Sequence, residues 1–454
     1  MKKASCSIGL VSLGCAKNAV DLQVMAGCLR KAGFTLAADP DHADVLLVNT
    51  CAFIEAAREE AVAEILRACQ LKKKGNCRAV VVAGCFVQRY REQLVDTFPE
   101  VDAFVGIDAL NKIAEVVGKL SVSSSRAVAA GPIVRIPAGR AKKVFDPPEP
   151  ALRFTGGAFA YLKIAEGCAH RCSYCAIPAI RGAYRSRKLS AILAEARALV
   201  ATGVKELNII AQDPMLYGVD LPSGKTGRPT LVKLLKALEK LKGEFWIRVL
   251  YSYPSEITDD FLQWMATSPR AVKYVDVPLQ HTVPGILKAM GRGSAVEASL
   301  KAVERIRAAV PGVTLRTTLM TGFPGETEND FKRMLADVKR FAFDHLGAFA
   351  FSPEDGTMAA ELDQRVTRGV AERRRQEIMR AQKTVWNRKA KAWVGKCAPA
   401  LVVSPGVARL ESQAPDVDGV VYLDDRGRMP AVGEMVKVEI VAVKGYDFIG
   451  TVEQ

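Results

Sequence analysis

Short apolar runs alternate with amphipathic segments through the first part of the chain. The runs IGLVSLG, VLLVNT and AVVVAG each precede a segment in which Ala, Leu and Ile recur at helical spacing. This alternation is typical of a parallel sheet covered by helices. Residues 1–120 are therefore predicted to form a doubly wound parallel-sheet α/β domain.

A second alternation of strands and helices begins after a change in composition. Residues 121–153 are rich in Ser, Ala, Gly, Pro and basic residues without a steady period, which predicts a linker. Six strand candidates then follow over residues 154–385: FAYLKIAEG, VKELNIIAQ, FWIRVLYSY, VKYVDVPLQ, VTLRTTLMTG and FDHLGAFAFS. They predict an open (βα)6 barrel, about two units short of a full eight.

The last part of the chain changes pattern again. A strongly basic, helix-like stretch over residues 371–396 precedes short β-rich runs that Gly, Pro and Asp separate. Such runs are typical of a small antiparallel β-barrel, which we expect over residues 386–454.

Charge and cysteine content narrow the class of protein. The formal net charge is +15 over 454 residues, which favours anionic partners such as RNA or the ribosome. No apolar run approaches the length of a membrane span, so we expect a cytoplasmic protein that does not bind membranes. In a reducing compartment, the eleven cysteines are more often metal ligands or catalytic thiols than disulfides.

Three cysteines stand at C-x3-C-x2-C in the segment EGCAHRCSYCAIPAIRG, after the first strand of the predicted barrel. The thiolates of Cys168, Cys172 and Cys175 can hold three corners of a cubane iron–sulfur cluster and leave one iron open. Loops at the carboxyl ends of barrel strands build active sites, so the position also fits. A zinc site that includes His170, or simply buried thiols, would be the alternatives.

Three further cysteines each come where an apolar run ends: Cys15, Cys51 and Cys85. The carboxyl ends of parallel strands meet at one edge of a doubly wound sheet, so these thiols can converge and hold a second cluster. Separate buried cysteines are the simpler alternative, and it is the one we expect for the remaining five, Cys6, Cys28, Cys69, Cys77 and Cys397.

The C-x3-C-x2-C motif, with an aromatic residue at Tyr174, is similar to the signature of the radical S-adenosylmethionine (SAM) superfamily. That resemblance implies a 4Fe-4S cluster whose open iron binds SAM and whose reduced form releases a 5′-deoxyadenosyl radical. With the second triad and the C-terminal barrel, nearly the whole chain resembles the methylthiotransferases. The resemblance implies two 4Fe-4S clusters and a TRAM-like barrel, with the chemistry at the clusters and no separate catalytic side chain.

Two branches of that family differ in substrate. Phrases such as SLGCAKNAVD, CAFIEAAREEA and APDVDGVVYLDD resemble the branch that modifies the β-carbon of an aspartate in small-subunit ribosomal protein S-twelve. The alternative branch modifies an adenosine beside the tRNA anticodon. The resemblance also implies a sulfur donor, an electron donor such as a reductase or flavodoxin, and the protein or the ribosomal subunit as partner. An RNA-binding module with a structural metal is a third, non-enzymatic reading.

The C-terminal barrel provides a charge argument about the substrate. From Cys397 onwards there are five basic and nine acidic residues, a net charge of −4. An acidic barrel, including Asp416 and Asp418, suits a basic protein better than tRNA. A merely solvated acidic face is the alternative, and the basic helix keeps RNA contact possible.

By resemblance, several residues around the barrel help bind SAM. A glycine-rich turn in MTGFPGETEND lets the backbone approach a ligand, although a tight turn alone would also explain the glycines. Two glutamines end other barrel strands, and an aromatic ring beside the motif can pack on adenine. The candidates are Tyr174, Gln212, Gln280, Gly322, Gly325 and Glu326.

Overall fold

The computed structural model describes residues 6–122, 131–149, 152, 157–224, 227–292, 296–424 and 429–453. The chain divides into two compact units. The first contains residues 1–154, 165–170 and 175–195, and the second contains residues 155–164, 171–174 and 196–454. The segment that carries the C-x3-C-x2-C motif is thus shared between the two units.

The secondary-structure elements follow in chain order. The strands are β1 (Ser7–Ser12), β2 (Thr35–Leu36), β3 (Val45–Thr50), β4 (Ala79–Gly84), β5 (Ala103–Val105), β6 (Ile133–Arg135), β7 (Phe159–Lys163), β8 (Ala165–Glu166), β9 (Arg185–Ser186), β10 (Glu206–Ile210), β11 (Trp246–Val249), β12 (Tyr274–Asp276), β13 (Thr314–Thr321), β14 (His345–Ala350), β15 (Cys397–Ser404), β16 (Val407–Leu410), β17 (Val421–Leu423), β18 (Met435–Lys444) and β19 (Asp447–Val452). The helices are α1 (Ala16–Lys31), α2 (Glu55–Lys73), α3 (Cys85–Tyr90), α4 (Glu92–Thr97), α5 (Ile113–Val122), α6 (Ile177–Arg181), α7 (Leu189–Ala201), α8 (Leu231–Glu239), α9 (Asp259–Thr267), α10 (Pro284–Leu287), α11 (Val296–Ala309), α12 (Glu328–Phe341) and α13 (Arg368–Lys391).

The first unit is built on a parallel sheet with strand order β2-β1-β3-β4-β5-β6. Alternate residues of β3 and β4 face opposite sides and enter two separate apolar cores. Leu46 and Val80 contribute to one core, and Leu47 and Val81 contribute to the other. The predicted doubly wound α/β domain is confirmed.

The segment expected to be a linker contributes to this sheet. Strand β6 lies within residues 121–153 and pairs with β5 through Ile133 and Ala103. Its three residues, Ile-Val-Arg, are too short a run to show a period of two between the flanking prolines, Pro132 and Pro137. Residues 123–130 of the expected linker lie outside the described residues.

The second unit contains six parallel barrel strands, as predicted. They form two three-stranded sheets, with orders β11-β10-β7 and β12-β13-β14, and a single parallel bridge from Ile247 to Ala271 extends from β11 towards β12. The basic helix is α13, which runs without a break across the expected boundary between residues 385 and 386. No helix in the described ranges is long and apolar enough to cross a membrane.

The C-terminal strands close into a five-stranded barrel with order β15-β16-β17-β19-β18. The β17–β19 pairing is parallel, whereas the other four pairings are antiparallel. The predicted small β-barrel is confirmed, with this parallel pairing as the difference. Trp386 of α13 packs into the barrel core against Phe448, so the helix and the barrel share one apolar cluster.

Candidate functional site

Cys15, Cys51 and Cys85 lie at the carboxyl edge of the first unit's sheet. Cys15 precedes α1 at the end of the turn after β1, Cys51 directly follows β3, and Cys85 directly follows β4. Because β1, β3 and β4 are parallel neighbours, their carboxyl ends bring the three residues to one place.

The three cysteines are close enough for their charges to interact. A Cβ atom placed on Gly14 would lie 3.0 Å from the Cys51 Sγ, so the turn before Cys15 passes directly against Cys51. Burial raises the pKa of Cys85 to about 12, while Arg181 opposes this rise and Cys51 and Cys15 add to it. Burial likewise raises the pKa of Cys51. Cys15 is exposed, so the group opens to solvent on one side.

Asn18 connects the three cysteine-bearing turns. Its Nδ2 donates to the carbonyl oxygens of Leu13 (3.1 Å) and Thr50 (3.0 Å), which precede Cys15 and Cys51. Its Oδ1 lies 3.4 Å from the Cys85 Sγ. The sequence places Asn18 in the first turn of α1 but gives no sign of this role, because its partners are distant in the chain.

Arg181 is a second residue of this site that sequence reasoning missed. It belongs to the CAIPAIRG segment, whose helix α6 packs in the core of the first unit through Ala176 and Ile180. The Nη2 atom of Arg181 is 3.1 Å from the Cys85 Sγ and also donates to Asn18 Oδ1 (2.6 Å). Asp21 and Glu166 each form an ion pair of 2.9 Å with the same guanidinium.

The motif loop itself is held from several sides. Gly167 has φ +76°, and the Cys168 N–H donates to the Gly182 carbonyl oxygen (3.2 Å) within the first unit. In the second unit, the Ser173 backbone N–H and hydroxyl donate to the carbonyl oxygens of Met290 and Ala289. Cys168, Cys172 and Cys175 are all partly exposed.

Arg292 is the charged neighbour of Cys172 in the second unit. Its Nη1 donates to the Pro278 and Leu279 carbonyl oxygens at 2.6 and 2.9 Å, and its guanidinium stacks 4.4 Å from the Tyr253 ring centre. Burial lowers the pKa of Arg292, but Tyr174, Cys172 and Tyr253 outweigh it and raise the pKa overall. A buried cation therefore faces a motif thiol, as Arg181 faces Cys85.

Zinc and a cubane cluster need different spacings of their cysteine ligands. Within the parts of the chain that the structure describes, no three His, Cys, Asp or Glu side chains are grouped for a single metal ion. Thiolates that bind one zinc ion all lie about 2.3 Å from it. Thiolates around a cubane bind different irons and therefore stand further apart.

The predicted SAM-side residues of the second unit fall into two groups. Gln212 follows β10. Gln280 follows β12 with φ +70°, and its buried Oε1 has no hydrogen-bond partner among the described residues. Tyr174 packs against an apolar cluster that includes Met290 and Phe323. Gln280 thus presents an unsatisfied acceptor, the feature expected where a ligand donates a hydrogen bond.

Gly322 and Glu326 have internal partners instead. A Cβ atom on Gly322 (φ +74°) would lie 2.3 Å from the Ala371 Cβ, so the glycine is required by the packing of α13. The Glu326 side chain is fully buried and accepts from the Gly322 N–H (2.9 Å) and Arg374 Nη1 (2.7 Å). Its carboxylate therefore braces the turn. Gly325 (φ +85°) completes the turn by donating its N–H to the Gln364 carbonyl oxygen.

The two acids of the C-terminal phrase APDVDG differ in their exposure. Asp418 is 2% exposed and accepts from the Tyr274 hydroxyl (2.7 Å), with Arg316 and His345 at 3.5 and 3.4 Å. Asp416 accepts from the Tyr161 hydroxyl (2.6 Å). The expectation that Asp418 is available to a basic partner is therefore wrong, because its carboxylate is bound within its own unit, whereas Asp416 stays exposed.

Comparisons with known proteins cover the whole chain. Residues 7–106 match the model described as Uncharacterized protein family UPF0004, residues 162–338 match the Radical SAM superfamily, and residues 394–452 match the TRAM domain. The chain is 40% identical to "Ribosomal protein uS12 methylthiotransferase RimO" of Acetivibrio thermocellus, over 100% of this chain and 99% of that protein. The proteins of the same name in Syntrophus aciditrophicus and Geobacter sulfurreducens are 42% and 41% identical, over 98% and 100% of both chains respectively.

Solved structures agree on the fold. The radical SAM methyltransferase TsrM from Kitasatospora setae, with tryptophan and a SAM analogue bound, matches with a TM-score of 0.53 and 17% identity. The match covers 76% of this chain and 73% of that one, which is similarity of fold alone. The full-length relatives carry the assignment: the chain belongs to the RimO family of methylthiotransferases, within the radical SAM superfamily.

Proposed function

We propose that this protein adds a methylthio group to the β-carbon of an aspartate in ribosomal protein uS12 (S-twelve). The observation that carries the proposal is the convergence of Cys15, Cys51 and Cys85 at one sheet edge, in a chain that also has the C-x3-C-x2-C motif. Relatives that are 40–42% identical over nearly their full length bear the name of this activity.

Each triad would hold one 4Fe-4S cluster. Cys15, Cys51 and Cys85 would hold the first, and Cys168, Cys172 and Cys175 the second, with one iron of each left for another ligand. When bound, the clusters and SAM supply one-electron chemistry together with the methyl and sulfur groups. The donor set fits, since each triad includes a thiol that faces a buried arginine: Arg181 beside Cys85, and Arg292 beside Cys172.

The chain's own residues would bind and orient these groups. Asn18 fixes the three turns of the first triad relative to one another, which pre-forms the ligand geometry. Gln280 would accept a hydrogen bond from a polar group of SAM, with Gln212, Tyr174 and the backbone at Gly325 as further contacts. Glu326 and Gly322 would support that turn from behind.

Partners and boundaries belong to the same proposal. We expect a reductase or flavodoxin as electron donor, a separate sulfur donor, a cytoplasmic location, and uS12 either free or in the ribosomal subunit, with RNA contact through the TRAM domain. We keep the domains at residues 1–120, 154–385 and 386–454, with 121–153 as the connection.

The test is a reaction of the anaerobically reconstituted protein with SAM, dithionite and sulfide. Purified uS12, small ribosomal subunits and tRNA are each supplied, and products are analysed by intact mass and nucleoside chromatography. We expect uS12 to gain the mass of one methylthio group less one hydrogen. Modification of tRNA adenosine alone would favour the other branch and overturn the proposal. A Cys28→Ala variant is the matched control, because Cys28 lies in the same unit outside both triads.

A further inference from the structure

Arg181 is a fully buried cation in contact with a thiol of the first triad. Its side chain is 2% exposed, and those of its partners Asp21 and Glu166 are 4% and 2% exposed. A buried guanidinium is tolerated only when charges and hydrogen bonds compensate its desolvation. The two carboxylates alone provide more than the one negative charge needed.

The contact with sulfur is additional to this ion pairing. Nη2 is shared among Asp21 Oδ2 (2.9 Å), Asn18 Oδ1 (2.6 Å) and Cys85 Sγ (3.1 Å), whereas Nη1 binds Glu166. Asn18 is itself fixed, because its Nδ2 donates to two backbone carbonyls. The guanidinium is therefore oriented so that an N–H points at Cys85.

A second buried arginine of the same unit provides a comparison. Arg187 is 1% exposed and is also paired with two carboxylates, Asp146 (2.7 Å) and Glu195 (2.6 Å). Two carboxylates thus pair with each of these buried arginines, and the 3.1 Å contact of Arg181 with the Cys85 sulfur is a further interaction of Arg181.

We propose that Arg181 is a positioning residue that donates a hydrogen bond to the Cys85 sulfur and raises the reduction potential of the cluster held by Cys15, Cys51 and Cys85. Hydrogen bonds to ligand sulfurs stabilise the extra negative charge of a reduced cluster, and they are among the factors that set its potential. The inference rests on the proposed function, because it requires a cluster at this triad.

The same residue connects the two triads through the chain. Cys175 and Arg181 lie at the two ends of one short segment that contains α6, and this segment packs in the first unit's core. The packing that holds α6 in place therefore positions both Cys175 and the Arg181 guanidinium that donates to Cys85. Replacing Arg181 should change the environment of the first cluster without removing a cysteine ligand of either cluster.

The first experiment uses full-length protein in which Ala replaces Cys168, Cys172 and Cys175, so that a single cluster remains. Iron and sulfide are measured, and the cluster is titrated with dithionite and followed by electron paramagnetic resonance. Each reduction adds one electron and breaks no bond. In this background, Arg181→Gln should lower the reduction equilibrium constant about tenfold or more, a shift of about 59 mV towards negative potential for one electron.

Two comparisons separate this role from a purely structural one. Arg181→Lys keeps the charge, so its potential should lie between those of Arg181→Gln and the parent. Arg187→Gln removes an equally buried arginine and should leave the potential unchanged. An unaltered potential in iron-replete Arg181→Gln, or the same shift in Arg187→Gln, would overturn the inference.

The Asp21→Asn variant should shift the reduction potential in the opposite direction. This test does not require the arginine variants to be stable. The substitution keeps Arg181 but removes one of the negative charges that compete with the sulfur for Nη2, so the potential should rise. No rise in iron-replete Asp21→Asn would contradict the inference even if Arg181→Gln failed to bind iron. Absence of iron from the parent background would instead contradict the proposed function, so the two failures are distinguishable.

Discussion

Glu206 at the start of β10 is buried between two arginines of the second unit. Its Oε1 is 2.6 Å from Arg248 Nε, and its Oε2 accepts from Arg409 Nη2, with Glu206 and Arg248 at 0% exposure and Arg409 at 3%. In Glu206→Gln, an NH2 group replaces one oxygen and points its hydrogens at a guanidinium. Both buried guanidiniums then lose the carboxylate that they share, which costs about 3–5 kcal/mol. That is a large part of a typical domain stability of about 5–15 kcal/mol.

Urea unfolding followed by tryptophan fluorescence measures this loss of stability in the second unit. The four tryptophans, Trp246, Trp264, Trp386 and Trp393, all belong to the second unit. We expect Glu206→Gln to lower the unfolding midpoint by about 1 M urea or more. Glu244→Gln is the control, since Glu244 is 74% exposed and stands 3.8 Å from Lys205, where an ion pair contributes little. Equal midpoints for the two variants would refute the reasoning.

The pH dependence of the same variant gives a second check. Burial raises the pKa of Glu206, but Arg409 and Arg248 outweigh it and lower the pKa below its ordinary value of 4.5. A carboxyl with a lowered pKa stabilises the fold above its ordinary pKa and loses that contribution as pH falls through the folded value. The stability difference between parent and Glu206→Gln should therefore persist from neutral pH to about 4.5 and shrink below it.

Three further predictions concern the clusters and the turn beside them. Replacing Cys168, Cys172 and Cys175 with Ala should remove about half of the roughly eight irons per chain, and retention of all the iron would contradict two separate clusters. Replacing Cys15, Cys51 and Cys85 with Ala should leave reductive SAM cleavage to 5′-deoxyadenosine intact but abolish methylthio transfer. Loss of cleavage in that folded variant would show that the chemistry is not divided in this way. Gly322→Ala should destabilise the second unit by about 1–3 kcal/mol more than Gly312→Ala, because only the former drives a Cβ into Ala371. Equal melting of the two variants would argue against that contact.

The fold was predictable wherever a strand is long enough to show a hydrophobic pattern. β3 and β4 are continuous apolar runs of six residues, and their parallel pairing follows from the helices between them. Strand β6 escaped prediction because three residues between prolines carry no readable period. Helix α13 was visible as a basic amphipathic segment, but its continuity into the barrel core depends on Trp386 packing on Phe448, a contact that no local pattern encodes.

The candidate site was predictable in its cysteines and not in their neighbours. Cys15, Cys51 and Cys85 share a position after strands, so topology alone brings them together. Asn18 and Arg181 reach the triad from separate parts of the chain, and their roles arise only when Arg181 meets Asn18 and Cys85. For Glu326 the sequence position was informative but the contacts were not. The residue lies beside a glycine-rich turn, and its side chain points inward to Arg374 and the Gly322 N–H.

A charge counted from sequence acts on a partner only if it stays exposed after folding. In the C-terminal barrel, Asp418 is held by Tyr274 and Arg316, and Arg409 is paired with Glu206. These two charges have opposite signs, so the remaining charged residues of the barrel still sum to −4. Reversing Asp418 to Lys would place a cation beside Arg316 and His345 and unfold the second unit before it altered docking. The choice between a basic protein and tRNA therefore cannot be made by reversing Asp418. It has to come from the mass of the product, because that measurement does not depend on which acids the fold has already used.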